Sequence, residues 1–152
     1  MLPIIAYRIA DARHPLMDGY GALLHGGRWN SPGLKVIYAS LTYSCAMLEM
    51  LAQVGRTYIP KNHKYIKIMI PSSLKLEYFL EAEVRNRDHV NTIISRDYGD
   101  KWIKEKRSVC LVVPSIIAPE DKNIVFNPDH ADYARITASD SQEVIWDQRL
   151  FK

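Results

Sequence analysis

His25-Gly26-Gly27-Arg28-Trp29-Asn30-Ser31-Pro32-Gly33, followed after Leu34 by Lys35-Val36-Ile37-Tyr38-Ala39, is the stretch that decides the fold. Its glycines admit backbone angles that other residues resist, and they let a ligand approach the main chain closely. Asn30, Ser31 and Pro32 add turn chemistry, so the first run reads as a loop between two elements. The second run is rich in β-formers and reads as a short strand. A dinucleotide-binding phosphate loop has the pattern G-x-G-x-x-G and opens a helix. This loop has neither property, so a dinucleotide bound here is not bound in the Rossmann manner. The loop carries one cation, Arg28, and one large aromatic, Trp29. The planar fork of an arginine matches a phosphate or a carboxylate. Functional side chains often sit on loops held by a rigid scaffold, so turn and anion clamp are compatible readings.

Outward from this loop, residues 2–9 read as a first strand and 10–27 as irregular, with Asp11, His14, Pro15, Asp18 and Gly19 as turn formers. Thr42 is a candidate N-cap for a helix over 43–54 that Gly55 ends. Residues 65–70 place Ile at every second position and predict a strand closed by Pro71. Val90, Ile93 and Ile94 keep helical spacing, Gly99 interrupts it, and Trp102-Ile103 resumes. Strands are expected over 108–113, 123–126 and 143–146, and a short helix over 132–136. About six short strands with a few helices that do not alternate with them predict an α+β fold rather than a doubly wound one.

With 152 residues and no internal repeat or linker, the chain is expected to be one domain spanning 1–152. Its 47% hydrophobic and 24% charged content is ordinary for a globular protein. No apolar run is long enough to cross a bilayer, and the N-terminus lacks a basic segment ahead of its apolar one. A cytoplasmic location is expected, without membrane contact. Cys45 and Cys110 lie in separate apolar stretches and read as buried free thiols. The five histidines show no metal-ligand spacing, so no metal is expected. The net charge of +3 is mild. Arg85, Arg87, Lys101, Lys104, Lys106 and Arg107 cluster, which reads as a solvated face ahead of a nucleic-acid surface and leaves room for an acidic partner.

Within the predicted helix over 43–54, only Ser44, Glu49 and Gln53 break an almost wholly apolar surface, so the helix reads as buried. Glu49 and Gln53 are surface neighbours on such a helix. A polar edge reaching water or a salt bridge explains Glu49, and is favoured on the residues alone over a carboxylate at the floor of a cleft. Tyr38 in mid-strand, Ser115 after Pro114, and Asn127 before Pro128 each carry little by themselves. Their order along the chain is what matters.

That order resembles the RES-domain family, toxins of bacterial toxin–antitoxin pairs named for an arginine, a glutamate and a serine. The matching segments are Tyr7-Arg8, Gly21-Ala22, the Gly26 to Gly33 loop, Val36-Ile37-Tyr38 leading to Leu48-Glu49, Gly99-Asp100-Lys101-Trp102, 111–115, Asn127-Pro128 and Asp147-Gln148-Arg149-Leu150. They run nearly end to end. Two departures stand out. The family's Asn-Pro-x-His-Pro-Asp reads Asn127-Pro128-Asp129-His130-Ala131-Asp132, and residues 80–89 lack the family's usual Pro and Trp.

The resemblance implies a bent, split β-sheet with surrounding helices, similar to ADP-ribosyltransferases, and an enzyme that consumes NAD+ as substrate without a prosthetic group. It places the three name-giving residues at Arg28, Glu49 and Ser115, with Tyr38 as a further catalytic position. Trp29, Asn30 and Asn127 join Arg28 and Tyr38 in substrate binding. Arg28 is expected to clamp a phosphate or ribose, Tyr38 to pack on the nicotinamide, Glu49 to stabilise the oxocarbenium-like centre, and Ser115 to bond the ribose or the nicotinamide amide. The implied reaction cleaves the nicotinamide–ribose bond, as an NAD glycohydrolase or phosphorylase that depletes cellular NAD+ and arrests growth. ADP-ribosyl transfer to a host protein is the alternative, and a nucleic-acid-binding toxin module is a reading from a different class. The implied partner is an Xre-type helix-turn-helix antitoxin that blocks the active site and carries the DNA contact, in a heteromeric complex holding a toxin homodimer.

Overall fold

A computed structural model gives the structure of residues 1–79 and 89–152, with backbone alone at 89–91. In chain order the elements are β1 (Ile4–Asp11), α1 (Tyr20–His25), β2 (Ile37–Ser40), α2 (Tyr43–Val54), β3 (His63–Ile70), β4 (Leu76–Tyr78), α3 (His89–Glu105), β5 (Cys110–Pro114), β6 (Lys122–Phe126), β7 (Thr137–Ala138) and β8 (Gln142–Glu143). Short 310 turns follow β6 at Ala131–Arg135 and β8 at Gln148–Leu150. The basic positions Arg85 and Arg87 and the rest of the 80–88 stretch lie outside the described residues.

All strands join one sheet in the order β4-β5-β6-β2-β1-β3-β7, with β8 also on β3. The fold is α+β, as expected, and the sheet is split in a specific place. β1 pairs with β3 along all eight of its residues, and β2 pairs with β6 along all four of its own. β1 and β2 meet only at Tyr7↔Ser40. Two well-zippered halves therefore share a junction one residue pair long. Arg8 crosses it: its Nη1 donates to the Tyr38 carbonyl at 2.8 Å and its Nε to the Leu16 carbonyl at 2.6 Å. Burial pulls the Arg8 pKa down, with Asp18 and Tyr133 opposing.

Strand alternation sends side chains to two faces. One face carries Ala6, Ile37, Ala39, Ile66, Ile68, Ile70, Cys110, Val112, Ile124 and Phe126 in a single buried cluster. The other face carries two separate clusters. Ile9, Ala46, Met50 and Val144 pack where α2 covers β1. Trp29, Val36, Trp102, Ile103, Leu111, Val113 and Val125 pack where α3 and the Gly-rich loop cover the other half. Each fully buried side chain of this size contributes roughly 1.5–3 kcal/mol, so both halves have their own apolar anchor. The seam between the two clusters is polar.

α2 keeps the bounds its caps predict. The Thr42 side chain accepts from the Cys45 N–H at 3.2 Å, and Gly55 ends the helix at φ 85°. It is not buried all round, however. Only Cys45, Ala46, Met50 and Leu51 are buried, and Leu48 and Val54 stand 42% and 46% exposed. The helix has a single sheet face to cover, so one stripe suffices. The expected interruption at Gly99 is also absent. α3 runs through it because the glycine serves a contact: a Cβ there would lie 1.8 Å from the Trp29 carbonyl oxygen. The expected irregular run before the loop contains α1, and the expected last strand shrinks to β8, with Trp146 packed edge-on to Phe151 instead. Both cysteines are buried and free.

Candidate active site

The Gly-rich loop is held from four sides. Gly27 N–H donates to the Asn30 carbonyl at 3.0 Å and closes a tight turn, with Gly26 at φ 71°. Arg96 of α3 grips the Gly27 carbonyl with Nε and Nη2 at 3.1 and 2.9 Å. Asp100, one turn further along α3, accepts from the Ser31 N–H and hydroxyl at 2.8 and 2.5 Å. Tyr38 comes up from β2 beneath. Its hydroxyl donates to Asn30 Oδ1 at 2.6 Å and accepts from the Trp29 N–H at 3.0 Å. A Cβ on Gly27 would lie 2.6 Å from that hydroxyl, so only glycine lets the ring close under the loop. Burial pushes the Tyr38 pKa up, so the phenol stays a donor.

This bracing sorts the loop's side chains. Trp29 is 3% exposed and packs edge-to-face with Phe79 and Tyr98. Asn30 is wholly buried, and its amide donates to the Ala22 and Leu34 carbonyls, both at 2.9 Å. Both hold the loop from inside instead of lining a cleft. Arg28 is half-buried, and among the described residues its hydrogen bond is a long one, Nη1 to Thr92 Oγ1 at 3.4 Å. It forms no salt bridge among the described residues. The loop thus presents a guanidinium and buries its neighbours.

Glu49 lies on the sheet-facing side of α2, where the polar seam begins. Ser115 Oγ, at the end of β5, donates to Glu49 Oε2 at 3.0 Å. Asn123 Nδ2, on β6, donates to the same oxygen. Ser40 Oγ donates to Asn123 Oδ1 at 2.7 Å, and the Ala118 N–H donates to Ser115 Oγ at 3.1 Å. Burial pushes the nearby Cys45 thiol up, which keeps it protonated beside Asn123. A small cleft of about 120 Å³ opens along this seam, walled by Tyr7, Arg8, Tyr38, Ser40, Glu49, Gln53 and Asn123. It sits at the one-pair junction of the sheet. A larger open depression of about 620 Å³, floored by Ile66, contains none of the residues expected to act. Convergent polar groups, not volume, single out the smaller cleft.

Glu49, Ser115 and Tyr38 are therefore brought to one seam, and Arg28 stands on the loop that Tyr38 supports. Asn127 is not brought there. It is wholly buried at the other end of β6 from Asn123, about 13 Å along the strand. Its amide donates to the Ile103 carbonyl at 3.2 Å and its Oδ1 accepts from the Asp129 N–H at 3.0 Å. Ser115 is also wholly buried and engaged with Glu49. Asn123 and Ser40 are seam residues that the sequence does not single out, and Arg8 stands there only within the matching segment Tyr7-Arg8. Their signal is a polar residue at an inward position of a strand, which period-2 alternation exposes once the strand bounds are known. No group of His, Cys, Asp and Glu suited to a metal occurs among the described residues.

The RES-domain family model matches residues 5–147. The chain belongs to the RES-domain family. It is similar to a relative named "Prs ADP-ribosylating toxin" of Sphingobium sp. (strain YBL2), at 31% identity over 96% of each chain. A "Toxin Res" of Photorhabdus laumondii subsp. laumondii is 30% identical over 86% of this chain and 85% of its own. Among solved structures, the crystal structure of the M. tuberculosis MbcT–MbcA toxin–antitoxin complex contains a chain with a TM-score of 0.69. It covers 93% of this RES chain and 84% of that chain at 16% identity, a likeness of fold.

Proposed function

We propose that this RES-domain protein is the toxin of a toxin–antitoxin pair and cleaves the nicotinamide–ribose bond of NAD+. One observation carries the reading: Glu49 Oε2 is held by Ser115 and Asn123, while Oε1 makes no hydrogen bond among the described residues. A carboxylate so held can turn one oxygen to a ribose hydroxyl or to the cationic centre that develops as nicotinamide leaves. Electrostatic stabilisation aimed at such a centre is typically the largest catalytic contribution, about 3–4 kcal/mol for one well-placed group. Arg28 takes a phosphate or ribose of NAD+. The Tyr38 ring lines the cleft as the nicotinamide platform. Ser115 acts through Glu49, and Trp29, Asn30 and Asn127 act by holding the loop and α3. With water as acceptor the products are ADP-ribose, nicotinamide and a proton, and with inorganic phosphate the product is ADP-ribose 1″-phosphate with nicotinamide.

A second reading keeps the same bond cleavage and changes the acceptor to a host protein. It is favoured by the name of the Sphingobium relative, an ADP-ribosylating toxin that matches this chain nearly end to end. Either enzyme requires restraint in its host. We assign that restraint to an Xre-type antitoxin seated over the seam, in a cytoplasmic complex that contacts DNA through the antitoxin and contains two toxin chains. The test is mass spectrometry of products after incubating the chain with NAD+, with and without phosphate, and with and without lysate. Free ADP-ribose or its phosphate supports NAD+ depletion, labelled protein supports transfer, and intact NAD+ in every arm overturns both.

A further inference from the structure

We propose that Asn123 is a positioning residue that directs the Glu49 carboxylate toward the scissile bond, and that Ser40 locks the Asn123 amide in the orientation this needs. The proposal rests on the NAD+-cleaving reading and deepens it.

Asn123 pairs with Ser40 across β6 and β2 and with Val113 across β6 and β5. It is thus fixed by backbone on both sides, at the one place where the polar seam crosses the sheet. An amide has a donor end and an acceptor end of nearly the same shape. At this position chemistry chooses between them. Nδ2 faces Glu49 Oε2. Turned over, Oδ1 would face that oxygen, two acceptors in contact. The other end is selected as well: Ser40 Oγ donates to Oδ1 at 2.7 Å, and the Cys45 thiol approaches it at 3.6 Å. Ser40 is 3% exposed, so its hydroxyl has little water to turn to. The relay Ser40 to Asn123 to Glu49 therefore runs in one direction.

Two donors, Ser115 and Asn123, converge on one carboxylate oxygen. Hydrogen bonds to an ionised group are shorter and stronger than neutral ones, so this pair sets the plane of the carboxylate. Ser115 alone leaves Glu49 free to rotate about a single bond. Aspartate has the shape of asparagine but sets a second acceptor against Glu49, and glutamine is one methylene too long for the strand-to-helix gap. A donor one way and an acceptor the other, on a short side chain, describes asparagine.

The test measures steady-state NAD+ cleavage by the full chain, with thermal unfolding in parallel. N123D is expected to lower kcat by about a hundredfold, the effect of about 1 Å of misplacement. KM should stay within about threefold, because the substrate's remote contacts are untouched. S40A keeps Asn123 but frees its amide to turn, and kcat should fall by about tenfold with KM again unchanged. A wild-type kcat in N123D overturns the proposal, as does a rise in KM that accounts for the whole loss. Should N123D not fold, S40A decides, and an unchanged kcat in S40A overturns the proposal. A wild-type chain that leaves NAD+ intact removes the underlying reading and the proposal with it. An active wild type with an unaffected N123D removes the proposal alone.

Discussion

Ser115 and Glu49, 66 positions apart in the chain, meet through a 3.0 Å hydrogen bond from Oγ to Oε2. Ser115 has no exposed surface and Glu49 is half-buried, so the hydroxyl is spent on the carboxylate and the carboxylate faces the cleft. The two should not be equal in effect. E49Q and R28A should each lower NAD+ turnover by about a hundredfold or more, the first by removing the charge aimed at the reacting centre and the second by removing the clamp that holds NAD+ in place. S115A should cost about tenfold, because Asn123 still holds Glu49. Nicotinamide release by the three variants checks this, and S115A falling below E49Q would contradict a supporting role for the serine.

Gly99 and Gly21 are both helical glycines with opposite surroundings. A Cβ at Gly99 would meet the Trp29 backbone carbonyl at 1.8 Å, whereas one at Gly21 meets nothing within 4 Å. G99A should therefore destabilise by about 1–3 kcal/mol or more and displace the Arg28 loop. G21A should be neutral or stabilise by about 0.5–1 kcal/mol through helix propensity. Urea unfolding of both variants provides the comparison. Equal midpoints would mean that the α3-to-loop contact is looser than described.

Tyr38→Phe removes one oxygen and leaves two groups wanting. Asn30 Oδ1 loses its donor and the Trp29 N–H its acceptor, in a place closed to water. The expected loss is about 1–3 kcal/mol of stability. Turnover should also fall, because the loop that carries Arg28 loses its brace. A variant as stable and as active as wild type would limit Tyr38 to ring packing.

Glu77 on β4 accepts from Arg107 at 3.0 and 2.7 Å and from the Tyr98 hydroxyl at 2.6 Å. The Arg107 hydrogen bonds hold the Glu77 carboxyl below its ordinary value of 4.5. Tyr98 is pushed up to about 12, first by burial and then by Glu77. A carboxylate whose folded pKa is depressed adds stability that is present above its unfolded pKa and is lost as pH falls through the folded one. Wild type should therefore exceed R107M in stability at neutral pH, by about 1 kcal/mol or less for a partly exposed pair. The gap should close as pH drops below about 4.5. A constant gap across that range in parallel denaturation curves would assign the difference to packing of the Arg107 stem.

Local signals were legible where local physics decides. Thr42 and Gly55 bound α2 because capping is a matter of neighbouring residues, and the Ile66-Ile68-Ile70 alternation shows β3 because a half-buried strand imposes it. Gly99 misled because its partner is Trp29, 70 positions away, and no propensity encodes that contact. β4 and β7 leave no pattern of their own, and β8 is shorter than the strand expected there, because strands of two or three residues exist only through their neighbours. At the site, Arg28 is legible from its loop as an anion clamp, while Tyr38, Glu49 and Ser115 become candidates through family resemblance, since Glu49 by itself reads better as a solvated edge. Asn127 was placed on the substrate by the same resemblance, while its own hydrogen bonds tie α3 to β6. Asn123 went unnoticed because its importance lies in what stands beside it.

The junction Tyr7↔Ser40 divides the site as well as the sheet. Glu49 rides on α2, which packs on both β1 and β2, and its donors Ser115 and Asn123 stand just past β5 and on β6. The acid and its grip thus come from different elements, gathered where β1 and β2 touch at one residue pair and Arg8 bridges them.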